Sequence, residues 1–117
     1  MRRDARAYLW HVRDAADAIN TFLQNRTFDD YLSDRMLRSA VEREFANIGE
    51  ALNQLRRLDL ALATRIPELG NVIGFRNVLI HGYDDIDNEG VWRIVHSDLR
   101  PLRDHVDSLL AELGPEP

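Results

Sequence analysis

Apolar residues recur at intervals of three and four along nearly the whole chain, and nowhere in sustained strict alternation. That period belongs to a helix with one buried face. Residues 4 to 25 show it most plainly, with Tyr8, Leu9, Val12, Ala15, Ala16, Ile19, Phe22 and Leu23 on one stripe and Asp4, Arg6, Arg13, Asp14 and Asp17 elsewhere. No Asn-Gly hairpin and no internal repeat interrupts the pattern. The spacing therefore predicts an all-α fold, a bundle of four or five principal helices with short connections. At 117 residues it is expected to form a single domain spanning residues 1–117.

Local signals divide the chain. Thr27-Phe28-Asp29-Asp30 has the form of a capping box and predicts a short helical turn through Leu32. Ser33 or Asp34 can cap the next helix, from about Arg35 to Leu58, whose stripe is Leu37, Val41, Phe45, Ile48, Leu52 and Leu55. Gly49 interrupts that helix, and close packing against another helix is the simplest reason for it. Glu50, beside it, can orient an arginine or remain a solvated or capped carboxylate. Residues 58 to 66 read as a helical continuation stopped by Pro67. A further helix is expected from about Asn71 to Ile80. It is apolar nearly all round, hence central and buried. After an acidic connector, Tyr83 to Glu89, a helix begins near Gly90, with Asp87 or Asn88 as its cap. Pro101 fits the first turn of a separate final helix, which Gly114-Pro115 ends.

Composition narrows the function classes. There is no Cys, so neither disulfides nor a thiolate metal site can form. The net charge is −5, which argues against coating nucleic acid by bulk charge but leaves room for a local basic cleft. All 15 basic residues are Arg, a bias in base composition being the plain explanation. No apolar run is long enough to span a bilayer and no signal peptide is evident, so no membrane partner and a cytoplasmic location are expected. The acidic connector lacks the ligand spacing of a calcium hand, and the histidines lack zinc-helix spacing, so no metal is expected. His11 reads as a partly buried or surface histidine.

One octet concentrates the chemistry: Arg76-Asn77-Val78-Leu79-Ile80-His81-Gly82-Tyr83. Arg76 offers a rigid fork of donors suited to phosphate. His81 can exchange protons near neutral pH. Gly82 is the usual residue for ending a helix in a left-handed turn. An ordinary helix end also accounts for Gly82 and Tyr83, but it leaves Arg76 unexplained, because an unpaired guanidinium inside an apolar helix is very costly. On a regular helix Arg76 and His81 lie about 140° apart and about 7.5 Å along the axis. Departure from regularity at the last turn is needed to bring them together.

Arg76-Asn77-x-x-x-His81 resembles the Arg-polar-x-x-x-His motif of HEPN domains, and Arg76-x4-His81-x-Tyr83 resembles the HepT toxin branch of that group. Phe28-x3-Leu32-Ser33-Asp34, Ile48-Gly49-Glu50-Ala51, Ile66-Pro67-Glu68 and Val91-Trp92-x-Ile94 are similar to the same family, so the resemblance covers essentially the whole chain. Gly82 departs from it, where a larger or acidic residue is usual. The resemblance implies a HEPN-like helical homodimer that cleaves RNA, tRNA or mRNA, without a metal or cofactor. It implies the toxin of a type VII-like toxin–antitoxin system. Arg76 and His81 would be catalytic and Asn77 supporting. Tyr83 would be the site of AMP transfer, as O-AMP-tyrosine, by an MntA-like nucleotidyltransferase antitoxin. The alternative is a non-catalytic module that binds a nucleotide or docks a nucleotidyltransferase.

Overall fold

The computed structural model describes residues 4–81 and 86–114, and for residues 78–81 the backbone alone. Gly82, Tyr83 and the His81 side chain thus lie outside the described residues. Within them the order is α1 (Ala5–Leu23), α2 (Phe28–Ser33), α3 (Arg35–Leu58), α4 (Leu60–Ala63), α5 (Leu69–His81) and α6 (Asn88–Leu113). No strand occurs among the described residues, and the chain forms the all-α bundle that its periodicity predicts.

Helix starts follow side-chain caps, because the first backbone N–H groups of a helix need acceptors. Asp4 accepts from Arg6 N at 2.9 Å. Thr27 and Asp30 form the expected capping box, with bonds of 2.9 and 3.1 Å. Of the two candidate caps for α3 it is Asp34 that serves, accepting from Leu37 N at 3.1 Å. Ser33 instead donates to Asp29 O within α2. Asp87 caps α6 through Gly90 N at 3.0 Å.

The hub is α3. It packs against α1, α2, α4 and α5, while α6 lies along α1. Leu9, Val12, Ile19, Val41, Phe45, Ile48, Leu52, Leu55 and Val106 are essentially without solvent contact and form the centre of the core. Ion pairs fasten its edge: Arg103 to Asp17 at 2.6 Å and Arg13 to Asp107 at 3.3 Å join α6 to α1.

Three expectations need correction. The stretch after Leu58 does not continue α3. Asp59 leaves the helical conformation and caps the short α4 by accepting from Leu62 N at 3.0 Å. Pro101 does not open a new helix but lies inside α6. Its missing N–H costs Ser97 a backbone bond, yet both residues are exposed, so water can take the freed carbonyl. The buried stripe Val91, Val95, Leu99, Leu102 and Val106 carries the helix straight through. Finally, α5 is buried on one side only over residues 69–77. Leu69, Val72 and Ile73 are buried, whereas Gly70, Asn71, Gly74 and Asn77 are exposed. Over residues 69–77 the two glycines leave the outward face almost bare of side chains, so the composition of this stretch overstates its burial.

Candidate active site

The site is built where α5 crosses α3. Phe75 meets Phe45 edge-on at 5.3 Å between ring centres, which anchors α5 on the hub next to Arg76. Arg76 then runs its stem directly over Gly49. A Cβ at position 49 would overlap Cβ and Cγ of Arg76 and lie 3.2 Å from its Cδ. The mid-helix glycine is therefore explained by close packing, as expected, and the group that it admits is the arginine of the motif.

The guanidinium is held at both ends. Nη2 donates to Glu50 Oε2 at 2.6 Å, and Nη1 donates to Asn77 Oδ1 at 3.1 Å. Gln54 Nε2 donates to the other Glu50 oxygen at 2.9 Å, which fixes the carboxylate in turn. Nε is buried and has no hydrogen-bond partner among the described residues. The Arg76 side chain is 20% exposed and that of Glu50 46%. Arg76 is thus neutralised within its own chain but near the surface. An ion pair so exposed is worth about 0–1 kcal/mol, so an incoming phosphate can compete for it.

Of the two earlier readings of Glu50, the arginine-orienting one is correct. The signal was the Gly-Glu pair at the middle of a strong helix. What hid the partner was distance, since 26 residues separate Glu50 from Arg76. Asn77 is one position along and accepts from the same guanidinium. His81 is the last residue of α5, one helical turn beyond Asn77 on the backbone. His96 and His105 do not join this group. His96 bonds Trp92 O at 2.8 Å, and His105 pairs with Glu68 at 3.0 Å.

A groove of about 460 Å³ adjoins the site between α1 and α3. Glu50 and Gln54 form one side of it, with Tyr8, His11 and Asp14 on the other. His11, expected to be a partly buried or surface histidine, is exposed and lies edge-on to the Tyr8 ring at 6.4 Å. Spacing along the sequence did not reveal this groove, because it needs α1 and α3 side by side.

A rigidly placed guanidinium with one replaceable anionic partner is an arrangement for binding and stabilising phosphate charge. Comparison with known proteins bears on which reaction that serves. Residues 12–109 match the family described as "Ribonuclease HepT-like". A Methanocaldococcus jannaschii protein, provisionally named an RNase, is 29% identical over 108 residues, 91% of this chain and 96% of its own length. A second such protein from the same organism is 33% identical over 94 residues, 80% of this chain and 77% of its own. A Thermococcus cleftensis protein named "Probable ribonuclease HepT" is 29% identical over 109 residues, 93% and 98% of the two chains. No solved structure matches the chain significantly.

Proposed function

The chain belongs to the HepT-like ribonuclease family, and from that premise we propose that it is a metal-independent endoribonuclease whose catalytic groups are Arg76 and His81. The observation that carries this is the Arg76 guanidinium, set over Gly49 and bridged between Glu50 and Asn77 on the helix that His81 ends.

In the proposed reaction His81 takes the proton of a ribose 2′-hydroxyl, and the oxygen attacks the neighbouring phosphorus. Arg76 leaves Glu50 for the phosphate and stabilises the charge that grows on its oxygens. The bond from phosphorus to the 5′-oxygen breaks, and that oxygen takes a proton, leaving a 2′,3′-cyclic phosphate and a 5′-hydroxyl. One histidine cannot serve as base and acid in the same instant. A homodimer solves this by bringing the partner's His81 to the same cleft.

The same reading makes the protein a toxin, silenced when a nucleotidyltransferase antitoxin transfers AMP from ATP to the Tyr83 phenol with release of pyrophosphate. The added phosphodiester, two residues from His81, would compete for Arg76 with the RNA phosphate. Protein shown by intact mass to carry no AMP is expected to cut total RNA in the presence of a chelator. Arg76→Ala and His81→Ala should each reduce cleavage by at least about 10²-fold while circular dichroism stays unchanged. Undiminished cleavage by either variant overturns the assignment. The acidic charge of −5 favours a second reading, a non-cleaving module that binds a nucleotide or docks the nucleotidyltransferase. Unmodified protein that cuts nothing yet binds the transferase would establish that one.

A further inference from the structure

The groove between α1 and α3 has a composition that phosphate binding does not call for. Its floor is apolar, made by Ala15 and Ala51, and its volume of about 460 Å³ is in the range of small-molecule pockets. The Tyr8 and His11 rings stand together on one wall. Asp14 and Glu44 bring carboxylates, and Asn47 brings an amide. Asp14 makes no hydrogen bond among the described residues, whereas Glu44 accepts from Asn47 Nδ2 at 3.0 Å. No arginine lines the groove among the described residues, and its carboxylates suit a hydrogen-bond donor better than an anion.

It is continuous with the proposed catalytic centre. Glu50 lines the groove and lies 2.6 Å from Arg76. A phosphate gripped by Arg76 therefore places the neighbouring nucleotide at the groove's mouth. Single-stranded RNA is read by stacking splayed bases on Tyr and His rings and by hydrogen-bonding their edges. The edge that suits this groove must donate, because carboxylates only accept. Guanine presents two parallel N–H donors on its Watson–Crick edge and can engage one carboxylate at both. Uracil presents one N–H between two carbonyl oxygens, which an acidic wall repels.

We propose that the α1–α3 groove is the base subsite of the ribonuclease, taking a guanine that flanks the scissile phosphate and disfavouring uracil. This rests on the ribonuclease reading given above, deepening it from phosphate chemistry to choice of sequence. Asp14 and Glu44 accept from the base, one of the Tyr8 and His11 rings stacks on its face, and the other, perpendicular to the first, meets its edge.

Two measurements on the full-length, unmodified protein test it separately from that reading. The first is cleavage of deoxyoligonucleotides holding a single ribonucleotide, with the flanking base varied. Guanine is expected to exceed uracil in kcat/KM by about tenfold, the size of one good two-point base contact. Asp14→Asn and Glu44→Gln together should bring that ratio towards one. The second is binding of guanosine and uridine 5′-monophosphates, followed by NMR at the Tyr8 and His11 rings. Guanosine monophosphate is expected to shift both rings, and uridine monophosphate to shift neither at the same concentration.

Equal cleavage beside all four bases, with no ring shifts, overturns the subsite while leaving the ribonuclease intact. Ring shifts from guanosine monophosphate in a protein that cuts no oligonucleotide uphold the groove as a base site and remove the ribonuclease reading. Shifts produced by an arginine-rich peptide but by neither nucleotide overturn the proposal in favour of a protein-docking groove.

Discussion

The two sides of α3 are made differently. Towards α1 and the core it offers Val41, Phe45, Ile48, Leu52 and Leu55, all essentially dry. Towards α5 it offers a bare glycine and a half-exposed carboxylate, met by a guanidinium. The first side gains from volume and shape and is indifferent to charge. The second adds the Phe45–Phe75 contact and, beside it, fixes the position of one cation. Stability and the placing of the cation thus fall to different residues of one helix, and substitutions should separate along that line.

The largest expected effect lies on the dry flank. Leu52→Ala removes a fully buried side chain and should cost about 2–5 kcal/mol, the usual range for such a cavity. Thermal or urea unfolding followed by circular dichroism measures it. A loss below about 1 kcal/mol would mean that α3's inner face is not the core that it forms here.

Gly49→Ala tests the boundary between the flanks. The new methyl must displace the Arg76 stem or push α5 away from α3. Overpacking of this kind typically costs about 1–3 kcal/mol. Cleavage should suffer more than stability does, because a misplacement of about 1 Å can cost about 10²-fold in rate. If Gly49→Ala loses stability and keeps full activity, the seam does not position the cation.

These two sites also show what could be read from the sequence. The cap at Thr27, the caps of α3 and α6 to within one residue (Ser33 or Asp34, Asp87 or Asn88), and the stripes of α1 and α3 were legible, because all arise from spacings within one or two turns. The break at Asp59 was not, since a single aspartate in an apolar run can cap a helix or ride on it. Nor was the passage of α6 through Pro101, which depends on Ser97 and Pro101 facing solvent while Leu99 and Leu102 face the core. At the site Arg76 was legible as a cation needing a partner and Gly49 as a close approach. That the two address each other, with Glu50 as partner, required the crossing of α5 over α3. The order along the chain does not contain that crossing. Tyr8 and His11 carried no local signal that they share a groove with Glu50.

A gentler change separates charge from shape on the polar flank. Glu50→Gln keeps an oxygen for Arg76 but removes the negative charge. Stability should move by less than about 1 kcal/mol, as for other exposed pairs. KM for RNA should fall, because the phosphate no longer competes with a carboxylate. The turnover rate should fall as well, because the guanidinium is held less firmly. Steady-state kinetics that show a raised KM would mean that Glu50 assists RNA binding rather than competing with it.

The smallest expected effect concerns an ionisable group on α3 away from the site. Partial burial raises the pKa of the Glu42 carboxyl, with Arg38 opposing the shift. Burial, and next the nearby Glu42 charge, push up the pKa of Tyr31, whose buried hydroxyl has no hydrogen-bond partner among the described residues. A carboxyl whose pKa is higher folded than unfolded holds its proton longer in the folded state. Its contribution is therefore complete below the ordinary value of 4.5 and fades as pH rises through the folded value. At neutral pH Glu42 should be a slight burden. Glu42→Gln should raise the neutral-pH melting temperature a little and leave the pH 4 value nearly unchanged, so that the gain appears only above the ordinary carboxylate range. An equal gain at both pH values would assign the effect to packing, and a loss at neutral pH would mean that the Arg38 attraction outweighs burial.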